Sequence, residues 1–247
     1  MKKVVLILSI IFIFLACDNS QNGKAENSLI LNLGGEPDSI DPQLTTGISG
    51  GTVDDLIMEG LLRKNKEGES VAGIAKTWSV SPDGLKWTFN LRDAKWSDGE
   101  PVKAQDFEFA WKRALDPTTA AEYAYQMYYL KGGEAFNSGE ATIDEVGVKA
   151  IDDKTLEVVL ESPTPYFLEL TAFPTYFPVR KDIVEADPEG WALNMETYIS
   201  NGPFKAVEWS HNDVLKVVKN ENYYDADSIQ LDGIDFYMIV EESTGMS

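Results

Sequence analysis

The sequence has almost none of the side chains that build disulfides and zinc sites. Cys17 is the single cysteine and His211 the single histidine among 247 residues. An intrachain disulfide therefore cannot form, and a zinc site made of cysteine and histidine is excluded as well. A calcium site built from carboxylates alone stays open, although the chain contains no D-x-D-x-D-G loop. We expect neither a metal nor another cofactor.

Positive charge is scarce relative to negative charge. The chain has 21 lysines and arginines against 41 aspartates and glutamates, a formal net charge of −20. Such a surface repels phosphate backbones, so we expect no nucleic-acid partner. Solubility is the simplest role for this charge, and a weak preference for cationic ligands stays open. The composition is that of a globular protein, long enough for one large or two modest domains.

The first 17 residues have the features of an export signal. Lys2 and Lys3 precede an apolar run of about a dozen residues, the dimensions of a secretory signal rather than of a membrane span. The run ends at Leu15-Ala16-Cys17, which resembles a bacterial lipobox, so residues 1–17 are predicted to be a lipoprotein signal peptide that leaves Cys17 lipidated. A plain signal peptide with an incidental cysteine is the alternative. Residues 18–27 are polar and predicted to be a flexible tether.

Hydrophobic periodicity predicts a strand and a helix in the middle of the chain. Period-2 alternation, typical of a strand with one buried face, places apolar side chains at Leu85, Trp87, Phe89 and Leu91. A helical spacing of i, i+3, i+4 and i+7 joins Phe107, Ala110, Trp111 and Ala114. The turn sequence Ser81-Pro82-Asp83-Gly84 connects the strand to a preceding one and predicts a hairpin.

Other segments are assigned in the same way. Strands are predicted at 28–33 and within 229–240, and hairpins at 146–160 and 204–220. A helix is predicted from Val53 to Leu62, with Thr52 as its N-cap. A second helix is predicted over 120–130, with a buried face formed by Tyr125, Tyr128 and Tyr129. A short helix at 166–170 is followed by a rigid extended segment around Phe173-Pro174 and Phe177-Pro178.

Several of these runs also resemble a known family. EGLL (59–62), DGLKWTFNLRDAKWSDGEPV (83–102) and DFEFAWKRALDP (106–117) are similar to the extracytoplasmic oligopeptide-binding proteins of ABC importers, the family-5 solute-binding proteins. LESPTPYFLEL (160–170) and NGPFKAVEWSHND (201–213) extend the resemblance over roughly residues 28–241. Lys103 departs from the pattern, because threonine or serine usually precedes this helix and lysine cannot cap it.

The resemblance implies a fold and a domain division. The fold class expected is α/β (mixed α+β), a type II periplasmic-binding-protein lobe with mixed sheets and a smaller β-rich inserted domain. Residues 28–60 and 201–247 would belong to the first lobe, and residues 61–200 to the inserted domain and connecting segments. Family members are longer, so the C-terminal lobe is expected to be missing here, with the chain a fragment and its cleft incomplete.

The resemblance also implies a function without catalysis. Such proteins hold oligopeptides between two lobes, largely through main-chain hydrogen bonds, and deliver them to an ABC permease. The chain would be a monomer, exported and lipid-anchored to the outer face of the cytoplasmic membrane, in the periplasm if the cell is Gram-negative. The candidate ligand-binding residues are Thr46, Gly47, Ile48, Tyr123, Phe173, Asn201 and Gly202.

Structural roles stay open for several of these candidates. The glycine-rich run 46–52 is no phosphate loop, because no Lys-Ser or Lys-Thr ends it. It is either a turn capped by Thr52 or, as the resemblance favours, an extended segment whose main chain binds the ligand, with Gly47 permitting close approach. Tyr123 and Phe173 are each either ligand-facing or core aromatics.

The sequence is also compatible with other functions. A hydrolase could use the carboxylates of Asp98 and Glu100, near Asp93, although such pairs are commonly solvated. A surface lipoprotein that adheres to other proteins is a second alternative. Within the family, the solute could instead be nickel, haem or an oligosaccharide, and the scarcity of histidine weakens the nickel role.

Overall fold

The computed structural model describes residues 27–240. The predicted signal peptide, Cys17 and nearly all of the predicted tether lie outside the described residues, as do residues 241–247. The expected mixture of helices and several sheets is confirmed. Its elements are β1 (Ser28–Asn32), α1 (Ile48–Ile57), β2 (Leu62–Lys64), β3 (Ser70–Ala72), β4 (Ala75–Val80), β5 (Lys86–Leu91), α2 (Ala104–Leu115), α3 (Gly133–Asn137), β6 (Val148–Asp152), β7 (Thr155–Val159), α4 (Phe167–Leu170), α5 (Lys181–Ala186), β8 (Phe204–Ser210), β9 (Val214–Lys219) and β10 (Gly233–Tyr237).

Two four-stranded sheets and a two-stranded hairpin form the framework. The first sheet has the order β1-β10-β9-β8, with β1 parallel to β10 and the other pairs antiparallel. The second sheet has the order β4-β5-β7-β6 and is antiparallel throughout, and β2 pairs with β3. The three predicted hairpins are therefore confirmed. The division into a lobe and an inserted domain stays a prediction. Among residues 27–240, no helix is both long and apolar enough to span a bilayer.

The main hydrophobic core lies where α2 packs against the second sheet. Trp87, Phe89 and Leu91 of β5 are buried, as alternation predicts. The predicted face of α2 is also buried, and the indole N–H of Trp111 donates to the Tyr176 carbonyl at 2.8 Å. Burying large aromatic side chains in this way supplies much of the hydrophobic stabilisation of a fold.

The start of α2 lacks a side-chain cap from Lys103, as the sequence predicts. Instead, one carboxylate oxygen of Asp106 accepts hydrogen bonds from the Lys103 backbone N–H at 2.9 Å and from the Trp96 indole at 3.0 Å. Asp106 thereby ties the helix N-terminus to the preceding turn.

The prediction for α1 was wrong in its position. The helix runs from Ile48 to Ile57 rather than from Val53 to Leu62. Its N-cap is Gly47, and Thr52 lies inside the helix, where its hydroxyl donates to the Ile48 carbonyl. The cause is tertiary. Gly50 lies so close to the Ser39 carbonyl that an added Cβ would be 2.4 Å from it. Glycine lowers the intrinsic stability of the helix, but its lack of a side chain lets α1 pack against the Ser39 loop.

The predicted helix over 120–130 is also wrong. A single 3₁₀ turn, Ala124–Met127, replaces it, and Tyr125 is exposed rather than part of a core face. The buried side chains recur every third residue, which suits a 3₁₀ turn rather than an α-helix: Ala121, Ala124, Met127 and Leu130. Ala120, where the predicted helix would begin, has a positive φ of 53° and is therefore not helical.

The segment after α4 is extended only in part. Phe173 and Phe177 have extended backbones, as predicted, but Pro174–Tyr176 between them forms a 3₁₀ turn. Proline is well suited to the first position of such a turn because its φ is already fixed. Both phenylalanine side chains consequently turn toward one cavity, described next.

Candidate functional site

A cavity of about 650 Å³ opens beside α1. Its volume is within the range of small-molecule binding sites. Its walls come from the segment that precedes and includes α1, from β2, and from the segment after α4. The lining residues are Thr45, Thr46, Gly47, Ile48, Gly51, Asp55, Leu56, Met58, Glu59, Arg63, Lys64, Tyr123, Glu169, Ala172, Phe173, Pro174, Phe177, Pro203 and Tyr223.

Most of the candidate residues meet in this cavity. Thr46, Gly47, Ile48, Tyr123 and Phe173 all line it, although they come from three separate parts of the chain. The remaining two candidates, Asn201 and Gly202, do not line it and lie behind the wall. The structure thus brings together five of the seven residues, while their contact with a ligand stays a prediction.

Asp38 holds the Thr46–Gly47 segment in place. One of its carboxylate oxygens accepts hydrogen bonds from the backbone N–H groups of Thr46 at 2.9 Å and Gly47 at 3.0 Å, and from the Thr46 hydroxyl. Partial burial raises the pKa of Asp38, but these hydrogen bonds outweigh that effect and leave the pKa below its usual value. The two amides are therefore occupied. The Thr46 carbonyl faces the Tyr123 hydroxyl at 3.5 Å, and the N–H of Ile48, the first residue of α1, has no partner within the helix.

Tyr123 and Phe173 form an aromatic part of the wall. Their rings meet edge to face with centroids 5.5 Å apart. The Tyr123 hydroxyl lies 3.5 Å from the Thr46 carbonyl, and the Phe173 side chain is 37% exposed. Neither ring is a fully buried core aromatic, so both surfaces are available to a ligand.

Glu59 is a buried acid that sequence reasoning did not single out. Its carboxylate accepts hydrogen bonds from the hydroxyls of Tyr223 and Tyr224. Burial raises the pKa of Glu59, while the two tyrosines lower it in part. Burial also raises the pKa of Tyr224 to about 12, so its hydroxyl stays a donor at neutral pH. The available signal was the position of Glu59 between apolar Met58 and Gly60-Leu61-Leu62, which indicates burial. A buried acid needs hydrogen-bond partners.

Asn201 and Gly202 support Glu59 from behind. The Asn201 amide accepts from the Glu59 backbone N–H and donates to the Glu59 carbonyl, both at 2.9 Å. The Gly202 N–H donates to the Ile57 carbonyl at 2.9 Å, and a Cβ at Gly202 would lie 2.6 Å from the Ile57 carbonyl carbon. These two residues fix the end of α1, so the contacts seen for them are structural.

A buried ion pair anchors the loop that leads into the site. The guanidinium of Arg113, on α2, binds both carboxylate oxygens of Asp41 at 2.9 and 2.6 Å. Gln43 accepts from the same guanidinium and donates to the Phe177 carbonyl. Bidentate pairing of this kind fixes geometry as well as charge. The loop before Thr46 is thereby held against the core.

The carboxylates considered for a hydrolase lie elsewhere. Asp98 accepts from the Glu100 N–H and pairs with Arg180 at 3.1 Å, and Asp93 lies 3.4 Å from Lys154. All three acids are exposed, so their surroundings do not form the enclosed acid–base pair that such chemistry needs. Among residues 27–240, no cluster of three or more histidine, cysteine or acidic side chains suits a metal ion.

Comparison with known proteins places this geometry in context. The family model "Bacterial extracellular solute-binding proteins, family 5 Middle" matches residues 69–247. The oligopeptide-binding protein OppA of Bacillus subtilis is 46% identical over 230 residues, which cover 92% of this chain and 42% of that protein.

Solved structures agree with the sequence match. The substrate-binding domain of an oligopeptide ABC transporter from Bacillus anthracis superposes with a TM-score of 0.86 at 41% identity, covering 88% of this chain and 42% of that one. Listeria monocytogenes OppA bound to peptide gives a TM-score of 0.87 at 36% identity, covering 90% and 44%. The chain therefore spans less than half the length of the relatives it matches.

Proposed function

Because this chain belongs to the family-5 bacterial extracellular solute-binding proteins, we propose that it binds short peptides outside the cytoplasm for delivery to an ABC permease. The observation that carries the proposal is the cavity beside α1, where five candidate residues meet. The names of its relatives support peptide as the solute, since they include an oligopeptide-binding protein and a peptide-bound structure.

The cavity supports a specific mode of binding. An extended peptide would accept from the Ile48 N–H and donate to the Thr46 carbonyl, which adds main-chain hydrogen bonds without reading side-chain identity. Tyr123 and Phe173 would contact the peptide's side chains or aliphatic stems. Asn201 and Gly202 would act indirectly by fixing Glu59 and the end of α1.

The remaining features of the proposal concern the whole protein. It would be a monomer, anchored by lipid at Cys17 to the outer face of the cytoplasmic membrane, with residues 61–200 as the smaller inserted domain. It would need no cofactor and perform no chemistry. Because the chain spans under half of its relatives' length, its contacts are a part of those a longer relative can make. We expect a dissociation constant on the order of 0.1 mM.

The test is calorimetric titration of the purified chain with a pool of tripeptides to pentapeptides. Phe173→Ala should weaken binding about tenfold, because it removes an aromatic contact in the cavity. Tyr166→Ala is the matched control, since Tyr166 is an exposed aromatic outside the cavity, and it should leave affinity unchanged. Equal weakening by both variants, or no heat with any peptide, would contradict the proposal.

The same samples decide between the alternatives. Mass spectrometry of the peptides after incubation should show no cleavage, whereas new fragments would favour a hydrolase. Binding of nickel, haem or an oligosaccharide in place of peptide would assign a different solute. Association with large proteins but not with peptides would favour an adhesive role.

A further inference from the structure

One face of α1 carries a single charged side chain into the cavity. Ile48, Gly51 and Asp55 follow one another at i, i+3 and i+7 and all line the cavity. Ile48 is 90% exposed, and the space beside Gly51 is empty for at least 4 Å around an added Cβ. Nothing on this face therefore separates Asp55 from a ligand lying along the helix.

The Asp55 carboxylate has no partner within the described part of the chain. It accepts no hydrogen bond there and forms no ion pair. Its exposed position at the rim is still partly desolvated, because the protein surface around it is concave, and this raises the pKa of Asp55 to about 6. No neighbouring cation offsets that effect. An incoming positive charge would stabilise the ionised carboxylate.

Three other charged groups of the cavity, Glu59, Arg63 and Lys64, have partners or charged neighbours, whereas Glu169 is exposed on α4 rather than on the face of α1. Glu59 is satisfied by two tyrosine hydroxyls, and the Lys64 ammonium donates to the Ser70 hydroxyl at 2.8 Å. Arg63 interacts electrostatically with Glu59 and Asp225. The titratable and charged groups around Asp55 are Asp54 on α1, Glu59, Arg63 and Lys64 on or before β2, Tyr123, Glu169 on α4, and Tyr223.

We propose that Asp55 selects peptides with a cationic side chain, lysine or arginine, at the position that lies against α1. The proposal rests on the proposed function and specifies the class of peptide. A charge-assisted hydrogen bond to the carboxylate would form in place of its contact with water, and the apolar neighbours Ile48 and Leu56 would accommodate the aliphatic stem.

The test compares peptides that differ in one charge. Trialanine peptides with lysine at position 1, 2 or 3 are titrated beside matched peptides with uncharged norleucine. At one of the three positions, we expect lysine to improve affinity about tenfold in the wild-type chain. Asp55→Asn should reduce that preference to less than twofold. Asp227→Asn, which removes an exposed aspartate outside the cavity, should keep the full preference.

Proton linkage gives a second measurement. Because the pKa of Asp55 is raised to about 6, part of its carboxyls are protonated near pH 6, and binding the lysine peptide should release protons, seen as buffer-dependent heat. Asp55→Asn should abolish the release. If norleucine peptides bind as well as lysine peptides, or if the variant keeps the preference, the inference is overturned while peptide binding stands. If no peptide binds, the proposed function fails as well.

Discussion

The carboxyl group of Asp106 shows how one buried residue can link pH to stability. Burial raises its pKa to about 6, although it accepts hydrogen bonds from Lys103 and Trp96 that lower it. The folded chain therefore holds this proton more tightly than the unfolded chain. Its contribution to stability is present at low pH and is lost as pH rises through about 6.

Replacement of Asp106 tests that linkage. As pH rises from 5 to 7.5 and Asp106 ionises, the unfolding free energy of the wild-type chain should fall by about 1 kcal/mol. Asp106→Asn should remove this part of the pH dependence, because the amide oxygen can accept the same two hydrogen bonds without titrating. Urea unfolding of both chains across the pH range measures the difference. Parallel pH profiles would show that Asp106 does not titrate in this window.

Single residues were also where sequence reasoning was weakest. Tyr123 and Phe173 could be named as candidates, but their edge-to-face contact and exposure could not be. Glu59 and Asp55 were missed, because their importance comes from burial and from the absence of nearby partners in the described part of the chain. The apolar neighbours of Glu59 in the sequence were a signal of its burial, whereas the absence of partners around Asp55 among the described residues depends on residues distant along the chain.

At the scale of elements, two adjacent glycines of α1 have opposite surroundings. An added Cβ at Gly50 would lie 2.4 Å from the Ser39 carbonyl and 2.8 Å from the Thr45 methyl, whereas one at Gly51 would meet nothing within 4 Å. Gly51→Ala should therefore stabilise the fold by about 1 kcal/mol through helix propensity. Gly50→Ala should destabilise it by about 1–3 kcal/mol through overpacking.

Urea unfolding of the two glycine variants measures these effects. The midpoints should move in opposite directions while the slope of each transition stays unchanged. Movement of both midpoints in the same direction would contradict the close approach of the Ser39 loop to α1.

Whether the sequence predicts an element correctly depends on how local its causes are. The α2 helix and the hairpin of β4 and β5 were found because one face of each is buried and their turns use ordinary turn residues. The α1 helix was misplaced because a contact with the Ser39 loop, rather than local propensity, decides where it begins. The tyrosine-rich segment was misassigned because its buried residues recur every third position from Ala121 to Leu130, a spacing that suits a 3₁₀ turn rather than an α-helix.

At the scale of the whole molecule, β1 is an exposed strand rich in apolar residues. Every residue of β1 is exposed, including Leu29, Ile30 and Leu31, and β1 lies at the edge of its sheet. Three consecutive apolar residues are typical of a strand that is covered on both faces. The mixed sheet itself was expected from the family resemblance, whereas the parallel pairing of β1 with β10 could not be read from local sequence.

The central claim is that the cavity beside α1 is where peptide binds. The most direct test is photo-cross-linking with tripeptides that carry a photoreactive leucine, followed by mapping of the labelled residues by tandem mass spectrometry. The account predicts labels confined to residues 45–64, 123, 169–177, 203 and 223, all removed by excess unlabelled peptide. Competable labels concentrated on the β1-β10-β9-β8 sheet, or none that peptide competes away, would contradict it.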